Sequence, residues 1–279
     1  MGVKIKNGNM TIKEKLENFP RVYWLSLPES LERHDFIINQ FNKYGIKHKL
    51  VEPYNGKLTD YMNSSIVKVG YLTQEDEYGN IVPIMNSGIT AVSMSHLKMI
   101  KEWYDNSDES EEYGFMGEDD MLLNSIDSWN FTWNDVINKL PKNWEIVQLN
   151  IIRGEGMSNK YMKFQLRFQY NWGGAAYIIK RSWAKYIIEK YIENDIYVFE
   201  GKDFYVPLPE NIFYGIVRYG AYSLPLFTEN TKFGRTLYPK FFKNNHESNN
   251  VCSANVCINW WKDHINDNQL ELLFTNPIL

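Results

Sequence analysis

Cysteine is scarce in this sequence: of 279 residues only Cys252 and Cys257 carry thiols. The four residues between them match neither a redox C-x-x-C pair nor a zinc-site spacing that the rest of the chain completes, so reduced structural thiols are the expectation. A long apolar run is missing as well. Nothing reaches the ~18 consecutive apolar residues of a spanning helix. The opening MGVKIKNGNMTIKEKLENFP mixes Lys, Asn and Glu where a secretory leader would carry an apolar core. Its sixth position holds Lys6 instead of the Ser or Thr of a myristoylation signal. These absences predict a cytoplasmic chain with no transmembrane segment. An excess of positive charge is also lacking: 30 Lys+Arg against 34 Asp+Glu leave a net charge of −4, which argues against nucleic acid or an anionic membrane as partner. No internal repeat and no linker rich in Gly, Pro or Ser divides the chain, so one domain is expected rather than two.

What is present is enough apolar material, 44% of residues, for a substantial core. The aromatic and branched run RVYWLSL (21–27) reads as a strand closed by Pro28. From Ser30, read as an N-cap, the apolar positions Leu31, Phe36, Ile37, Phe41 and Tyr44 follow a helical stripe that stops at Gly45. HKLVEPYNG returns to strand and turn. Strand, helix, strand at this spacing is a βαβ unit, the opening of an α/β sheet. Residues 57–87 are polar and read as a loop insertion. Helical periodicity resumes in SGITAVSMSHLKMIKEWYDN. Further strands are expected at 113–116, 144–150 and 172–180, the last feeding a helix N-capped by Ser182 that runs to about Ile192. The expected fold is therefore α/β, a single domain over 19–264 with a Rossmann-like mixed sheet flanked by helices. Residues 1–18 read as an N-terminal extension and 265–279 as a tail. NVCINWW (255–261) reads as an exposed contact surface, while the oligomeric state stays open.

The stretch EEYGFMGEDDMLLNSIDSW passes from apolar residues into Glu118, Asp119 and Asp120 and straight back to Met121, Leu122 and Leu123. Ligands of α/β sheets gather beyond the carboxyl ends of strands, and an acidic cluster there suits a divalent cation. Oxygen ligands two residues apart, at Glu118 and Asp120, fit Mn²⁺ or Mg²⁺, which would neutralise a diphosphate. A solvated acidic turn is the plainer alternative. The apolar brackets weigh against it, because three like charges at such a place repel one another unless a counter-ion is near.

The order of motifs resembles the glycosyltransferases of family 25, the group of lipopolysaccharide galactosyltransferases and collagen hydroxylysine glycosyltransferases. Members open with a strand carrying Ile-Asn-Leu and then Glu-Arg or Asp-Arg, and WLSLPESLERHDFI matches through Leu25, Leu27, Glu32 and Arg33. A Gly-Ile or Gly-Leu turn and an Ala-Val-Asp-Gly tetrad correspond to YGIKHKLVEPYNG. A helix ending in Ser-His corresponds to GITAVSMSHL with Ser95 and His96, Leu-Glu-Asp-Asp to GEDD, and a small-residue strand ending in Ala-Tyr to GGAAYIIKRSWAKYI. The chain departs from the pattern at Ser26, Asn55, Val92 and Gly117, where Asn, Asp, Cys and Leu are usual. The resemblance implies a GT-A architecture, a nucleotide-sugar donor, usually UDP-linked, and inversion at the anomeric carbon. UDP-galactose and UDP-glucose are the expected donors, and a glycan, glycolipid or protein hydroxyl is the expected acceptor.

It also implies roles. Asp120 is expected as the primary metal ligand, Glu118 as a ligand or ribose contact and Asp119 in support. His246 is expected to complete the metal site in preference to His264, because Ser248 follows it two places on as in the family. Arg33 would contact phosphate or uracil, or remain a solvated helix charge; Ser95 and His96 would face the donor, or His96 would pack as a hydrogen-bonded core residue. Trp172, Gly173 and Gly174 would let a sugar approach the backbone, or mark a bulge. An inverting displacement needs a carboxylate base, for which Glu210 in PLPEN ranks first and Asp203 second, although an acid after proline also serves as a helix cap. Two other classes compete. A two-metal phosphoryl or nucleotidyl transferase wants a second carboxylate cluster, which Glu145 alone does not supply. A non-catalytic nucleotide-sugar-binding protein on the same fold would be free to lose mutually repelling charges, and this chain keeps all three.

Overall fold

The computed structural model of the protein describes residues 10–69, 73–75, 81–83, 86–153, 157–168, 171–200, 208–215, 220–233 and 240–275, with backbone alone at 73–75, 81–83 and 240–247. In chain order the main elements are α1 (Ile12–Lys15), β1 (Val22–Leu25), α2 (Leu31–Tyr44), β2 (His48–Val51), α3 (Ser87–Asn106), β3 (Tyr113–Glu118), β4 (Met121–Leu122) and α4 (Trp133–Lys139). They continue with β5 (Ile146–Asn150), β6 (Gln165–Leu166), β7 (Ala176–Lys180), α5 (Arg181–Tyr191), α6 (Pro209–Tyr214), β8 (Ala221–Glu229), α7 (Lys240–Asp263) and α8 (Gln269–Phe274). Among the described residues these eight strands form one mixed sheet in the order β2-β1-β3-β7-β5-β8-β4, with β6 on β8. β1 runs parallel to β2 and β3, whereas β7 runs antiparallel between β3 and β5. The α/β single-domain architecture expected from the periodicity is the one observed.

The sheet is covered on both faces, so its central strands are buried along consecutive residues, with exposure only at strand ends, instead of alternating with solvent. Successive side chains still point to opposite sides. Val22 and Trp24 of β1 enter a core with Ile37, Phe41 and Trp133, and Tyr23 and Leu25 enter the other core with Met94, Leu97 and Trp103. α2 ends at Gly45, whose φ of 66° is left-handed backbone that glycine adopts without strain. α3 is the expected helix to the residue, capped by Asn86, whose side chain accepts from the Ile89 amide.

Several local expectations are corrected. Ser30 precedes α2 but makes no capping hydrogen bond. α5 starts at Arg181, and Ser182 donates its hydroxyl to Glu145 Oε2 at 3.1 Å instead of capping. Residues 255–261 lie inside α7, where Cys257, Trp260 and Trp261 are buried while Asn255 and Asn259 are exposed, so the two tryptophans are core and not surface. The described parts of the flanking segments, residues 10–18 and 265–275, pack on the fold. Lys15 of α1 donates to the carbonyls of Ile126 and Asp127 at 3.0 and 2.8 Å, and Gln269 of α8 donates to the Ser128 carbonyl at 2.9 Å. Within 57–87 lie a 3-10 turn (Tyr61–Asn63) and the short strands Val67–Lys68, Thr73–Glu75 and Ile81–Pro83. Among the described residues no helix is long and apolar enough to cross a membrane.

Tight packing between α3 and β3 makes a prediction. A methyl group at Gly114 would lie 2.5 Å from the fully buried Trp103 ring. Gly114→Ala is therefore expected to destabilise the fold by about 1–3 kcal/mol through overpacking, read as a lower urea midpoint with an unchanged slope.

Candidate active site

β1 connects through α2 to β2 on one side, and the chain then crosses back to place β3 parallel to β1 on the other, so the strand order reverses at β1 and β3. Such switch points open a crevice at the carboxyl ends of the strands. Here the crevice has a volume of about 80 Å³, and Ser26, Arg33, Asn55, His96, Glu118 and Asp119 contribute to its wall.

The acidic triplet is compensated residue by residue. Arg33, in the first turn of α2, places Nη1 2.9 Å from Asp119 Oδ1 and Nη2 2.5 Å from Asp120 Oδ2. Ser26, just past β1, donates its hydroxyl to Asp119 Oδ2 at 2.5 Å. Burial pushes the Asp119 carboxyl above the usual carboxylate range, against the opposing pull of Arg33 and Ser26. Burial also works against the Arg33 charge, but Asp120, Asp119, Glu118 and Glu229 outweigh it and hold the guanidinium above its ordinary value. The Phe233 ring lies 5.5 Å below the same guanidinium. Glu118 turns the other way, with Oε1 3.2 Å from His96 Nε2.

β7 adds the next wall. Because it is antiparallel, its N-terminal approach reaches the edge where β3 and β5 end. Gly174 sits against Glu118: a Cβ there would lie 3.1 Å from Glu118 Oε1 and 3.5 Å from the His96 ring. Gly173, with φ of 119°, sits against Asn150 of β5, whose Oδ1 would be 2.3 Å from an added Cβ. The Gly173 amide donates to Glu210 Oε1 at 3.3 Å. Glu118 and Glu210 thus face two consecutive glycines. Trp172 is half-buried and its backbone bridges to Ile152. Glu210 lies in the first turn of α6, a favourable place for an acid, yet the N-cap is Leu208 and the carboxylate reaches across to Gly173.

The crevice therefore brings together Arg33, Ser95, His96, Glu118 and Asp119, with Asp120 joined to them through Arg33 and Trp172, Gly173, Gly174 and Glu210 on the adjoining edge. Ser95 is committed to structure: its hydroxyl donates to the Ala91 carbonyl at 2.6 Å and accepts from the Tyr54 amide at 2.9 Å, which fixes the loop after β2. Asp203 lies outside the described residues. His246 falls within α7, but its side chain lies outside them. Tyr54, Asn55 and Gly56 also line the crevice, although the sequence reading used PYNG only as a motif and not as a site. Asn150 and Arg167 were missed altogether, since nothing local marks a strand asparagine or a lone arginine as part of a site, and Tyr177 entered only as the end of the Ala-Tyr motif, without a role. Arg167 donates to the Asn171 carbonyl at 2.8 Å and stacks 4.3 Å from the Tyr214 ring.

Carboxylate oxygens at a strand end are the donor set an Mn²⁺ or Mg²⁺ ion takes, so the residue chemistry fits such an ion. They supply part of a shell: among the described residues no three His, Cys, Asp or Glu side chains gather as a metal cage. A protein-family model described as glycosyltransferase family 25 (LPS biosynthesis protein) matches residues 19–200. That stretch contains Arg33, Ser95, His96, the acidic triplet and Trp172 to Gly174, and ends before Glu210. No curated protein matches the chain.

The Arg33 bridge makes a second prediction. Arg33→Met leaves the buried Asp119 without its cation and is expected to cost about 3–5 kcal/mol, measured by urea unfolding. Adding Asp119→Asn is expected to recover most of that loss, because the amide carries no charge to compensate.

Proposed function

This chain belongs to glycosyltransferase family 25, and from that membership we propose that it moves a hexose from a UDP-sugar to a hydroxyl of a glycan, glycolipid or protein acceptor, with inversion at the anomeric carbon. UDP-galactose and UDP-glucose are the donors we favour. The observation that carries this reading is the pair of carboxylates, Glu118 and Glu210, set against consecutive glycines at one sheet edge. One faces the crevice that holds Arg33, and the other lies beyond it. A hexose seated over Gly173 and Gly174 would then have its diphosphate on the Arg33 side and its opposite face toward Glu210.

In this reading Arg33 supplies positive charge where the diphosphate leaves, and charge developing on a leaving group is where fixed electrostatics act most strongly. Glu118 holds the donor at the crevice edge. Glu210 accepts the proton of the acceptor hydroxyl as its oxygen bonds to the anomeric carbon and the bond to the diphosphate breaks. The Gly173 amide bonded to Glu210 keeps that carboxylate directed at the sugar edge. A divalent cation, Mn²⁺ or Mg²⁺, would be held by Asp120 and Glu118, with His246 as a further ligand, and would neutralise diphosphate charge. The absence of side chains at both glycines is part of the reading, since a Cβ at Gly173 would collide with Asn150 and one at Gly174 would crowd Glu118 and His96, displacing the groups that frame this edge.

The test is UDP release from a panel of UDP-sugars with Mn²⁺ or with EDTA. Slow hydrolysis of one donor that needs the metal is expected, lowered about 100-fold or more by Asp120→Asn. Glu210→Gln is expected to abolish transfer to an acceptor while UDP binding persists. Absence of UDP binding together with metal-independent behaviour would overturn the reading.

A further inference from the structure

Beneath the crevice edge lies a buried phenol with no part in the chemistry above. Tyr177 is the second residue of β7 and is fully buried. Its neighbours on β3 and β5 are Met116 and Gln148. Its ring stacks on Phe213 of α6 at 5.3 Å, and Phe213 also packs 5.4 Å from the His96 ring. The Tyr177 hydroxyl lies 3.2 Å from His96 Nδ1, its one hydrogen-bond partner among the described residues. On the far side of the same ring, Nε2 lies 3.2 Å from Glu118 Oε1.

The direction of this chain follows from simple accounting of protons. Burial, followed by the neighbouring Tyr214, Glu118 and Glu210, pushes the Tyr177 hydroxyl well above its usual range, so it keeps its proton. A buried O–H needs an acceptor, and His96 Nδ1 is the one at hand. That nitrogen must then be bare, which leaves the ring proton on Nε2. There it faces a carboxylate, which accepts and does not donate when ionised.

We propose that Tyr177 is a positioning residue of the donor site, fixing the His96 proton on Nε2 so that His96 holds the Glu118 carboxylate against Gly174 at the crevice edge. The inference rests on the reading of Glu118 as the donor-side carboxylate. Supporting groups of this kind orient the residues that meet a ligand, and their loss typically weakens binding about tenfold or more.

The experiment uses the full chain labelled with ¹⁵N-histidine, and the His96 signals are assigned by their absence in His96→Gln. Long-range ¹H–¹⁵N spectra of the wild type are expected to show Nε2 protonated and Nδ1 bare. In Tyr177→Phe, which removes only the hydroxyl, that preference is expected to give way to a mixture of tautomers. In parallel, UDP with Mg²⁺ serves as the binding probe. Tyr177→Phe and Glu118→Gln are both expected to weaken it, by about tenfold. An unchanged His96 tautomer in Tyr177→Phe overturns the inference. So does wild-type UDP affinity in Tyr177→Phe when Glu118→Gln binds weakly. If Glu118→Gln itself binds UDP normally, it is the donor-site reading that fails, and the inference falls with it whatever the tautomer. Should Tyr177→Phe fail to fold, His96→Gln and His96→Leu decide: the amide can accept from Tyr177 and donate to Glu118, so it is expected to bind UDP more tightly than the leucine variant, and equal affinity overturns the inference.

Discussion

The structure depends on how it neutralises three carboxylates in a row at the end of a buried strand. Charges of one sign at that position are tolerable only if each has its own partner. The chain provides the partners from three directions: Arg33 from the helix after β1, Ser26 from the end of β1, and His96 from α3. These contacts tie the first turn of α2 to the loop after β3. They therefore fix the two walls of the crevice in which any anionic ligand would meet Arg33. The charge cluster that looked costly in the sequence is the fastening of the site.

Much of this was legible in the sequence wherever one local pattern decided the outcome. α3 could be read at its full length because its apolar residues recur with helical spacing over 20 positions. The acidic triplet could be read as the end of a strand because apolar residues bracket it. The failures have physical causes too. β8, the longest strand of the sheet, was not found because Pro225 interrupts it; the sheet accommodates the proline where the β8 register shifts between Ser223 and Phe227. α7 was not found because its apolar residues do not mark one face, so Trp260 and Trp261 looked exposed when they are core. Ser30 and Ser182 looked like caps, but a hydroxyl before a helix is only an opportunity, and Ser182 had a better partner in Glu145.

The site was legible as a set of residues and not as a set of partnerships. Arg33 was expected to face phosphate, yet what organises it within the protein is a bridge to Asp119 and Asp120. Glu210 was ranked first on its place after a proline, while its contact with the Gly173 amide depends on α6 packing against β7 through Phe213 and Tyr177, which no linear motif encodes. The aromatic contact means that the two sides of the site share one support. Tyr177 touches the ring that holds Glu118 and the helix that carries Glu210.

Environment then divides the labour among carboxylates that look equivalent in sequence. Asp119 is only 4% exposed, with one oxygen on Ser26 and the other on Arg33, so it has little capacity left for a ligand. The Glu118 side chain is 34% exposed, meets the His96 imidazole and lines the crevice. Glu210 is anchored by a neutral backbone amide and lies near the buried cation of Arg167, with which it interacts electrostatically. The middle residue of the triplet is thus the structural one. At the glycines the oxygens are themselves engaged: Glu118 Oε1 meets both the His96 imidazole and the place a Gly174 side chain would take, and Glu210 Oε1 accepts from the Gly173 amide, so two carboxylates and two glycines are built as one unit.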